Sequence, residues 1–385
     1  MNDRFERIRT HYERERAAGR VPRTREHIPL GYDTITTEWL TAVLSPAHPG
    51  IAVQGFRLDE VDEGTSSRRR IHLQYADAAH ARSAGWPASV FCKGSPALQN
   101  RYILGMNNGI AAEANFYNHV RPTLPIEAPV AYYAKYDPDS FNSIIVMHDL
   151  RERVEFGRID TPMDLARGRS QMDLLARLHG EYYASPAKFA TLGGFNHWED
   201  YFAATVELAG FGPACARGFV DAEAVIPPRL YARRDEVWPA TLKSVAEHAT
   251  LPRTLIHSDV HLKNWYVAPG NVMGLNDWQC SCKGNGARDL AYAISTAFEP
   301  ADRRRHEQDL IRHYLDRLRA CGATPPSFDE TFKLYRRNLF NALAWWTGTL
   351  GQPPEAPKMQ PPATSLEFIR RMSTAIDDLD ALDAF

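Results

Sequence analysis

This 385-residue chain predicts an α+β fold in two lobes, an antiparallel β-rich one over 1–148 and a mostly helical one over 149–385. Three observations carry that reading. Residues 51–148 are short alternating apolar runs broken by turn residues, the period-two pattern of half-buried strands. Beyond residue 150 the apolar spacing changes to three and four, the pattern of helices. One interruption, 254–278, consists of short strand-like runs joined by polar connections rich in His, Asp and Asn.

The first 30 residues are polar and charge-dense, and Arg4–Arg20 reads as a solvated helix. Thr36 is placed to cap a short helix with Trp39, Leu40, Val43 and Leu44 on one face, because a hydroxyl there accepts an orphan N–H of the first turn. Pro46 and the Pro49-Gly50 pair end it. Ile51–Val61 reads as a strand and Glu63-Gly64-Thr65-Ser66-Ser67 as a turn. Arg70–Tyr75 is a strand with Ile71, Leu73 and Tyr75 on one face, and Ser89–Lys93 is another. A helix is expected over Ala111–Val120, with Ala112, Phe116 and His119 or Val120 on one side, then strands over Val130–Tyr136 and Ser143–Met147. Thr161-Pro162 opens the helical lobe, Thr as cap and Pro at the first helical position, with Leu165, Met172, Leu175 and Leu178 apolar and an end near Gly180. Further helices are expected over 197–209, 227–248, 287–298, 301–320, 327–348 and 364–380. Thr254–Ile256, Trp265–Val267 and Val272–Leu275 read as three short strands.

Hydrophobic residues at 44% and charged residues at 24% exclude a disordered or fibrous chain. A net charge of −2 gives no global attraction to nucleic acid or an anionic membrane. The longest apolar runs, as at Ile144-Ile145-Val146-Met147, fall far short of the roughly 20 residues of a spanning helix. Met1-Asn2-Asp3-Arg4 carries charge without an apolar stretch, which is not a secretory signal. The cysteines, Cys92, Cys215, Cys280, Cys282 and Cys321, are odd in number in a large chain, so they are expected as reduced thiols in a cytoplasmic protein.

The chemistry concentrates in His257-Ser258-Asp259-Val260-His261-Leu262-Lys263-Asn264 and in Asn276-Asp277-Trp278-Gln279. Asp259 follows an apolar strand, Asn264 precedes the next, and Asp277 ends a third, so three oxygen-bearing side chains at strand ends are able to converge. Asp and Asn oxygens are hard ligands of the kind Mg²⁺ takes while sharing phosphate oxygens. A carboxylate left off the metal is free to accept a hydroxyl proton, which is the equipment of phosphoryl transfer.

His257-x-Asp259-x-His261-x-x-Asn264, with Asp277-Trp278-Gln279 and Asp289-Leu290-Ala291, resembles the aminoglycoside phosphotransferase and choline kinase group, small-molecule kinases with a protein-kinase-like fold. The resemblance extends over most of residues 50–350. It implies ATP and Mg²⁺ as cofactors, Asp259 as catalytic base, Asn264 and Asp277 as Mg²⁺ ligands, and Asp289 as a brace for the loop. The Gly usual between the motif's His and Asp is Ser258 here, a departure that bears on the loop's backbone angles. The resemblance also implies that Lys93, at a strand end, holds the α/β-phosphates, and that Glu113, on a helix, orients it. Gly64, Thr65, Ser66 and Ser67 form a small-residue turn whose N–H groups and hydroxyls suit phosphate. Met147, His148 and Asp149 are where an interlobe hinge presents backbone groups to adenine.

Each feature also has a plainer reading. His257 and His261 lack the Glu of a zinc-protease motif. His257 is expected to brace the loop, and His261 stands evenly between brace and active-site contact. Lys263 divides between the γ-phosphate and a solvated surface. Cys280-x-Cys282 has no second Cys pair, which argues against a metal site. Arg68-Arg69-Arg70 and Arg303-Arg304-Arg305 read first as solvated faces, and Trp345-Trp346 as core before substrate wall. The expected activity is transfer of the γ-phosphate of ATP to a hydroxyl of a small molecule, with no nucleic-acid or membrane partner. A nucleotide-binding protein without transfer, and a metal-dependent hydrolase using His257, Asp259 and His261, are the competing classes. The helical lobe mixes Glu152, Glu155, Glu181, Glu199 and Asp200 with Arg151, Arg153, Arg158, Arg167 and Arg177, so no acidic excess marks a polycation site. Tyr182, Tyr183, Phe195, Trp198, Tyr201, Phe202, Trp345 and Trp346 lean toward an apolar or ring-bearing alcohol, such as a hydroxyacyl compound, a sterol-like molecule or a glycoside.

Overall fold

The computed structural model describes residues 3–106, 108–354 and 359–385; Met1 and Asn2 of the N-terminal stretch read above lie outside the described residues. The chain forms two compact units, Met1–Thr123 with Pro129–Glu152, and Leu124–Ala128 with Arg153–Phe385.

The first unit is built on one antiparallel sheet. Its strands are β1 (Gly55–Leu58), β2 (Asp62–Glu63), β3 (Ser67–Gln74), β4 (Ser89–Gly94), β5 (Ala131–Tyr136) and β6 (Ser143–His148). They are ordered β1-β3-β4-β6-β5, with β2 pairing β3 to make a hairpin. The helices are α1 (Asp3–Ala18), α2 (Thr37–Leu44), α3 (Ala78–Ser83), α4 (Leu98–Met106) and α5 (Gly109–Asn115), the last continuing as a π-helical turn over Phe116–Val120. Thr36 caps α2 as expected, its hydroxyl accepting from the Trp39 N–H at 3.1 Å. The apolar face of α2 then joins Ile71 and Leu73 of β3, Val90 and Cys92 of β4, and Ile144 and Val146 of β6 in one buried cluster. Because side chains alternate across a strand, this register leaves Phe91 and Lys93 on the opposite face of β4.

Two expectations for this unit need correction. The strand anticipated over Ile51–Val61 shrinks to Gly55–Leu58, since Ile51 and Val53 sink into the core ahead of the ladder. Helix α1 is not simply solvated. Ile8 is fully buried against Leu104, Ile110 and Phe141, and Glu15 pairs at 2.7 Å with the buried Arg101. The chain after α1 is stitched to the sheet as well: Tyr32 Oη donates to the Ser67 carbonyl at 2.7 Å and Asn142 Nδ2 to that of Pro29 at 3.2 Å.

The second unit is mostly helical. It contains β7 (Glu155–Phe156), α6 (Leu165–Tyr183), α7 (Pro186–Ala190), α8 (Trp198–Ala209), α9 (Phe211–Asp221), α10 (Pro228–Ala232) and α11 (Arg234–Ala246). Then come β8 (Thr254–Ile256), β9 (Trp265–Ala268), β10 (Val272–Leu275), β11 (Cys282–Gly284), α12 (Ala287–Ala297), α13 (Pro300–Ala320), α14 (Phe328–Leu350) and α15 (Pro362–Asp378). The strands form two small antiparallel ladders, β10-β9-β7 and β11-β8. Helix α6 starts later than Thr161-Pro162 suggests. Asp164 is the actual cap, accepting from the Arg167 N–H at 2.8 Å, while the Thr161 hydroxyl accepts from the Arg158 N–H and closes the preceding turn. The single helix expected over 227–248 is two, parted at Arg233. No helix among the described residues is long and apolar enough to cross a membrane.

Candidate active site

Strand β8 delivers the chain into the 257–264 loop, and β9 and β10 form the hairpin that returns it at Asp277. The loop is fastened from below by α12. Asp289, fully buried, accepts the His257 N–H on Oδ2 and the Ser258 N–H on Oδ1, both at 2.8 Å, and the His179 imidazole donates to Oδ2 at 3.2 Å. Burial pushes the Asp289 carboxyl up, but the hydrogen bond from His179 and the neighbouring groups outweigh it, and the acid sits below its ordinary value. Arg288, also fully buried, donates to the Ser258 carbonyl at 2.8 Å and to Asn341, with its guanidinium 3.8 Å from the Trp198 ring centroid. Both backbone groups of Ser258 are therefore held. That clamp keeps a non-glycine residue at φ +68°, in the left-handed region, where a side chain costs roughly 1–2 kcal/mol. The serine at the usual glycine position thus leaves the loop in a conformation glycine would also adopt.

His257 has both ring nitrogens engaged. Nδ1 accepts from the Asp259 N–H at 3.2 Å and Nε2 donates to the Asn276 carbonyl at 2.9 Å. Burial lowers its pKa, so the ring is neutral and braces the loop. Asp259 is thereby held at the mouth of the loop with its side chain 22% exposed. Asn264, in the short turn Leu262–Asn264, donates its amide to the Asp259 carbonyl at 2.7 Å and to Oδ2 of the carboxylate at 3.1 Å. With the Nδ2 hydrogens so used, Oδ1 is the atom left to ligate a cation. Asp277 lies two residues past β10, at φ +63°. Its loop is tied to Asn264 by the Asn276 N–H, which donates to the Asn264 carbonyl at 2.9 Å. The charges of both Asp259 and Asp277 act on the imidazoles of His257 and His261, so the two carboxylates share one neighbourhood. Hard oxygens on an amide and a carboxylate, with His257 committed to backbone partners, form a donor set that fits Mg²⁺ and does not fit zinc.

His261 is buried, 3.7 Å from Oδ2 of Asp259 through Nε2 and walled by Trp346 and Phe368. Lys263 donates to Gln360 at 2.6 Å. Trp346 is core, and Trp345 lies partly buried on the aromatic cluster of Trp198, Tyr201, Phe202 and Phe211. Tyr201 reaches Cys280, three residues past Asp277, donating to its Sγ at 3.3 Å. Among the described residues no group of three or more His, Cys, Asp or Glu side chains is placed to hold a metal, Cys280 and Cys282 included. Tyr292, which the sequence did not single out, donates from Oη to Oδ1 of Asp259 at 3.2 Å.

In the first unit, Lys93 and Glu113 form an ion pair of 2.8 Å, their side chains 7% and 5% exposed. Lys93 stands on the face of β4 away from α2, and α5 presents Glu113 there, just before the π-helical turn. The small-residue turn closes on itself, the Gly64 N–H donating to the Ser66 carbonyl at 3.1 Å. Asn100 Nδ2 supports it from the carbonyls of Gly64 and Thr65, both at 3.3 Å. Ser66 and Ser67 are buried, and the Ser67 hydroxyl donates to Glu63 at 2.9 Å. Met147 and His148 end β6, with His148 stacked on Tyr132 at 4.4 Å and its N–H donating to the Val130 carbonyl. The Asp149 carboxylate accepts from Arg70, from Ser89 at 2.6 Å and from the Arg151 N–H at 3.1 Å, so it fastens the end of β6. The triple arginine is likewise engaged: Arg68 with Asp62, Arg69 with the Asp59 carbonyl, and Arg70 with Asp149.

The profile of the phosphotransferase enzyme family (APH) matches residues 107–329. No curated protein sequence matches the chain. Among solved structures, a candidate aminoglycoside phosphotransferase from Ralstonia eutropha JMP134 is similar at TM-score 0.52 and 13% identity, covering 88% of this chain and 96% of its own. A choline kinase from Cryptosporidium parvum Iowa II is similar at TM-score 0.52 and 11% identity, covering 90% and 95%. Spectinomycin phosphotransferase APH(9)-Ia, solved with ADP and spectinomycin, is similar at TM-score 0.50 and 13% identity, covering 91% and 99%. At these identities the structures show a shared fold, the protein-kinase-like α+β fold. The family match spans more than half of the chain, and the protein belongs to the phosphotransferase enzyme family.

Proposed function

We propose that the protein is an ATP- and Mg²⁺-dependent kinase of a small alcohol. The observation that carries this reading is the 257–264 loop, where a buried network holds a partly exposed Asp259 beside an Asn264 amide whose oxygen is left for a cation. Asn264 and Asp277 hold Mg²⁺, which when bound neutralises charge on the phosphates. Lys93, oriented by Glu113, holds the α/β-phosphates, the Gly64–Ser67 turn lies over them, and the backbone of Met147–Asp149 meets the base of the nucleotide. Asp259 accepts the proton of the substrate hydroxyl as the γ-phosphoryl group passes to that oxygen. Phosphoryl transfer asks for little covalent work from a protein, so a fixed carboxylate and fixed counter-charges suffice.

The substrate class this reading favours is an alcohol on an apolar or ring-bearing body. A polycation needs available carboxylates, and several around the helical unit are committed to arginines. Glu199 pairs with Arg253, Glu247 with Arg337, Glu307 with Arg303, Glu299 with Arg370 and Arg371, and Asp378 with Arg303 and Arg304. The partly buried Trp345, Trp238, Val206 and Cys280, packed on the aromatic cluster, offer aromatic and apolar contact instead.

ADP release measured with Mg²⁺–ATP over alcohols, sugars, aminoglycosides and hydroxyacyl thioesters tests both statements. Asp259→Asn is expected to lower turnover by about 10²–10⁴-fold while leaving the nucleotide-induced rise in melting temperature. Undiminished turnover in that variant removes Asp259 as base. A nucleotide-induced rise with no ADP from any acceptor identifies a binding protein without transfer.

A further inference from the structure

Helix α12 does more than brace the loop backbone. Asp289 and Arg288 precede Tyr292 on it by three and four residues, spacings that bring each of them alongside Tyr292. They meet three consecutive loop residues: Asp289 takes the N–H groups of His257 and Ser258, Arg288 takes the carbonyl of Ser258, and Tyr292 reaches the side chain of Asp259. We infer that Tyr292 is a positioning residue, fixing the rotation of the Asp259 carboxylate by donating its hydroxyl to Oδ1 while Asn264 donates to Oδ2. This rests on Asp259 being the base of the reaction proposed above.

The geometry supports it from both sides. The two oxygens of one carboxylate have different donors, Tyr292 Oη at 3.2 Å and Asn264 Nδ2 at 3.1 Å, so turning the group about its last bond breaks both contacts together. The tyrosine is itself immobilised. It is 1% exposed, its ring lies 6.0 Å from His261, and the Arg288 guanidinium lies 5.5 Å from its centre. Burial and the nearby Asp259 charge raise its pKa well above the ordinary phenol value, so the hydroxyl keeps its proton and remains a donor. Its 3.2 Å contact is long for a hydroxyl donor, as catalytic hydrogen bonds often are before substrate tightens them. A carboxylate has about four lone-pair directions, so each oxygen retains room for the substrate hydroxyl after these bonds are made.

The test is Tyr292→Phe in the full-length protein, a change that keeps the buried ring and removes only the hydroxyl. The expected result is a fall in kcat of about 10- to 100-fold, the scale of a small misplacement of a reacting group, with the KM for ATP and for the alcohol and the melting temperature unchanged. Added to Asp259→Asn, the same substitution is expected to produce no further loss, because the group it positions is gone. Unchanged kcat in Tyr292→Phe overturns the assignment, as does an equal fall in the Asp259→Asn background. If the unaltered protein transfers phosphate to no acceptor, the kinase reading fails separately. A crystal structure of Tyr292→Phe then decides the positioning: a rotated Asp259 carboxylate supports it and an unmoved one refutes it.

Discussion

Replacing Asp289 by Asn changes one atom and should cost the second unit much of its stability. The carboxylate now satisfies two consecutive backbone N–H groups through separate oxygens, each at 2.8 Å, and a third donor from His179 at 3.2 Å. An amide has one oxygen, so one backbone N–H must face an NH₂ group at hydrogen-bond distance. A hydrogen bond to a charged group is worth about 1.5–3 kcal/mol, and a buried donor left unsatisfied costs about 1–3 kcal/mol. The sum for Asp289→Asn is therefore roughly 2.5–6 kcal/mol, a large part of the roughly 5–15 kcal/mol that holds a typical domain together. Ser258 adds to the effect, because its left-handed backbone is held by this carboxylate and by Arg288. Urea denaturation followed by tryptophan fluorescence reads the loss, with Trp198, Trp265 and Trp278 fully buried in the same unit as reporters. A loss below about 1 kcal/mol would refute the reasoning, since it would mean the N–H groups find other partners at little cost.

Two further outcomes follow from buried charge. Glu113→Gln removes the carboxylate from the buried ion pair with Lys93 and is expected to destabilise the first unit by about 3–5 kcal/mol in urea denaturation, whereas Lys93→Met with Glu113→Leu together should recover most of that stability and none of the activity. His248 is fully buried, with Nε2 donating to Asn338 at 2.9 Å and Nδ1 accepting from the Asn285 N–H at 3.0 Å, and burial pushes its pKa down to about 4. A neutral native imidazole against an unfolded one titrating near 6.5 means its stabilisation is complete above pH 6.5 and is lost as the pH falls toward 4, about 3 kcal/mol over the window. Urea midpoints taken from pH 7.5 to pH 4.5 check this, and a flat profile over that range would contradict the assignment.

Much of the fold is legible in the residues because its signals are local. Thr36 before Trp39 reads as a cap, and Ile71, Leu73, Val90 and Val146 alternate as strands must. The positions of Asp259, Asn264 and Asp277 at strand ends are visible in the alternation of apolar runs and polar connections. What escapes is set by partners distant in sequence. Helix α1 looks solvated until Leu104 and Phe141 are seen to cover Ile8 and Arg101 to take Glu15. Thr161-Pro162 carries a good start signal, but Asp164 wins because its carboxylate reaches the Arg167 N–H. The short strands β7 and β11 span two and three residues, too few for a periodicity to register. Tyr292 meets Asp259 across 33 positions, and Arg288 meets Asn341 across 53, separations at which spacing says nothing.

The stitching of residues 8–35 to the first sheet bears on how the protein must be handled. A fragment cut to the 107–329 stretch that the family profile covers would keep Glu113 yet discard Lys93, and would keep β5 and β6 yet expose the flank where β4 now pairs. It would also lose most of α14 and all of α15, whose Arg371 holds Glu299 and the Thr296 carbonyl. The profile marks where kinship is readable, and the folding unit is far larger, so expression trials belong on the whole polypeptide.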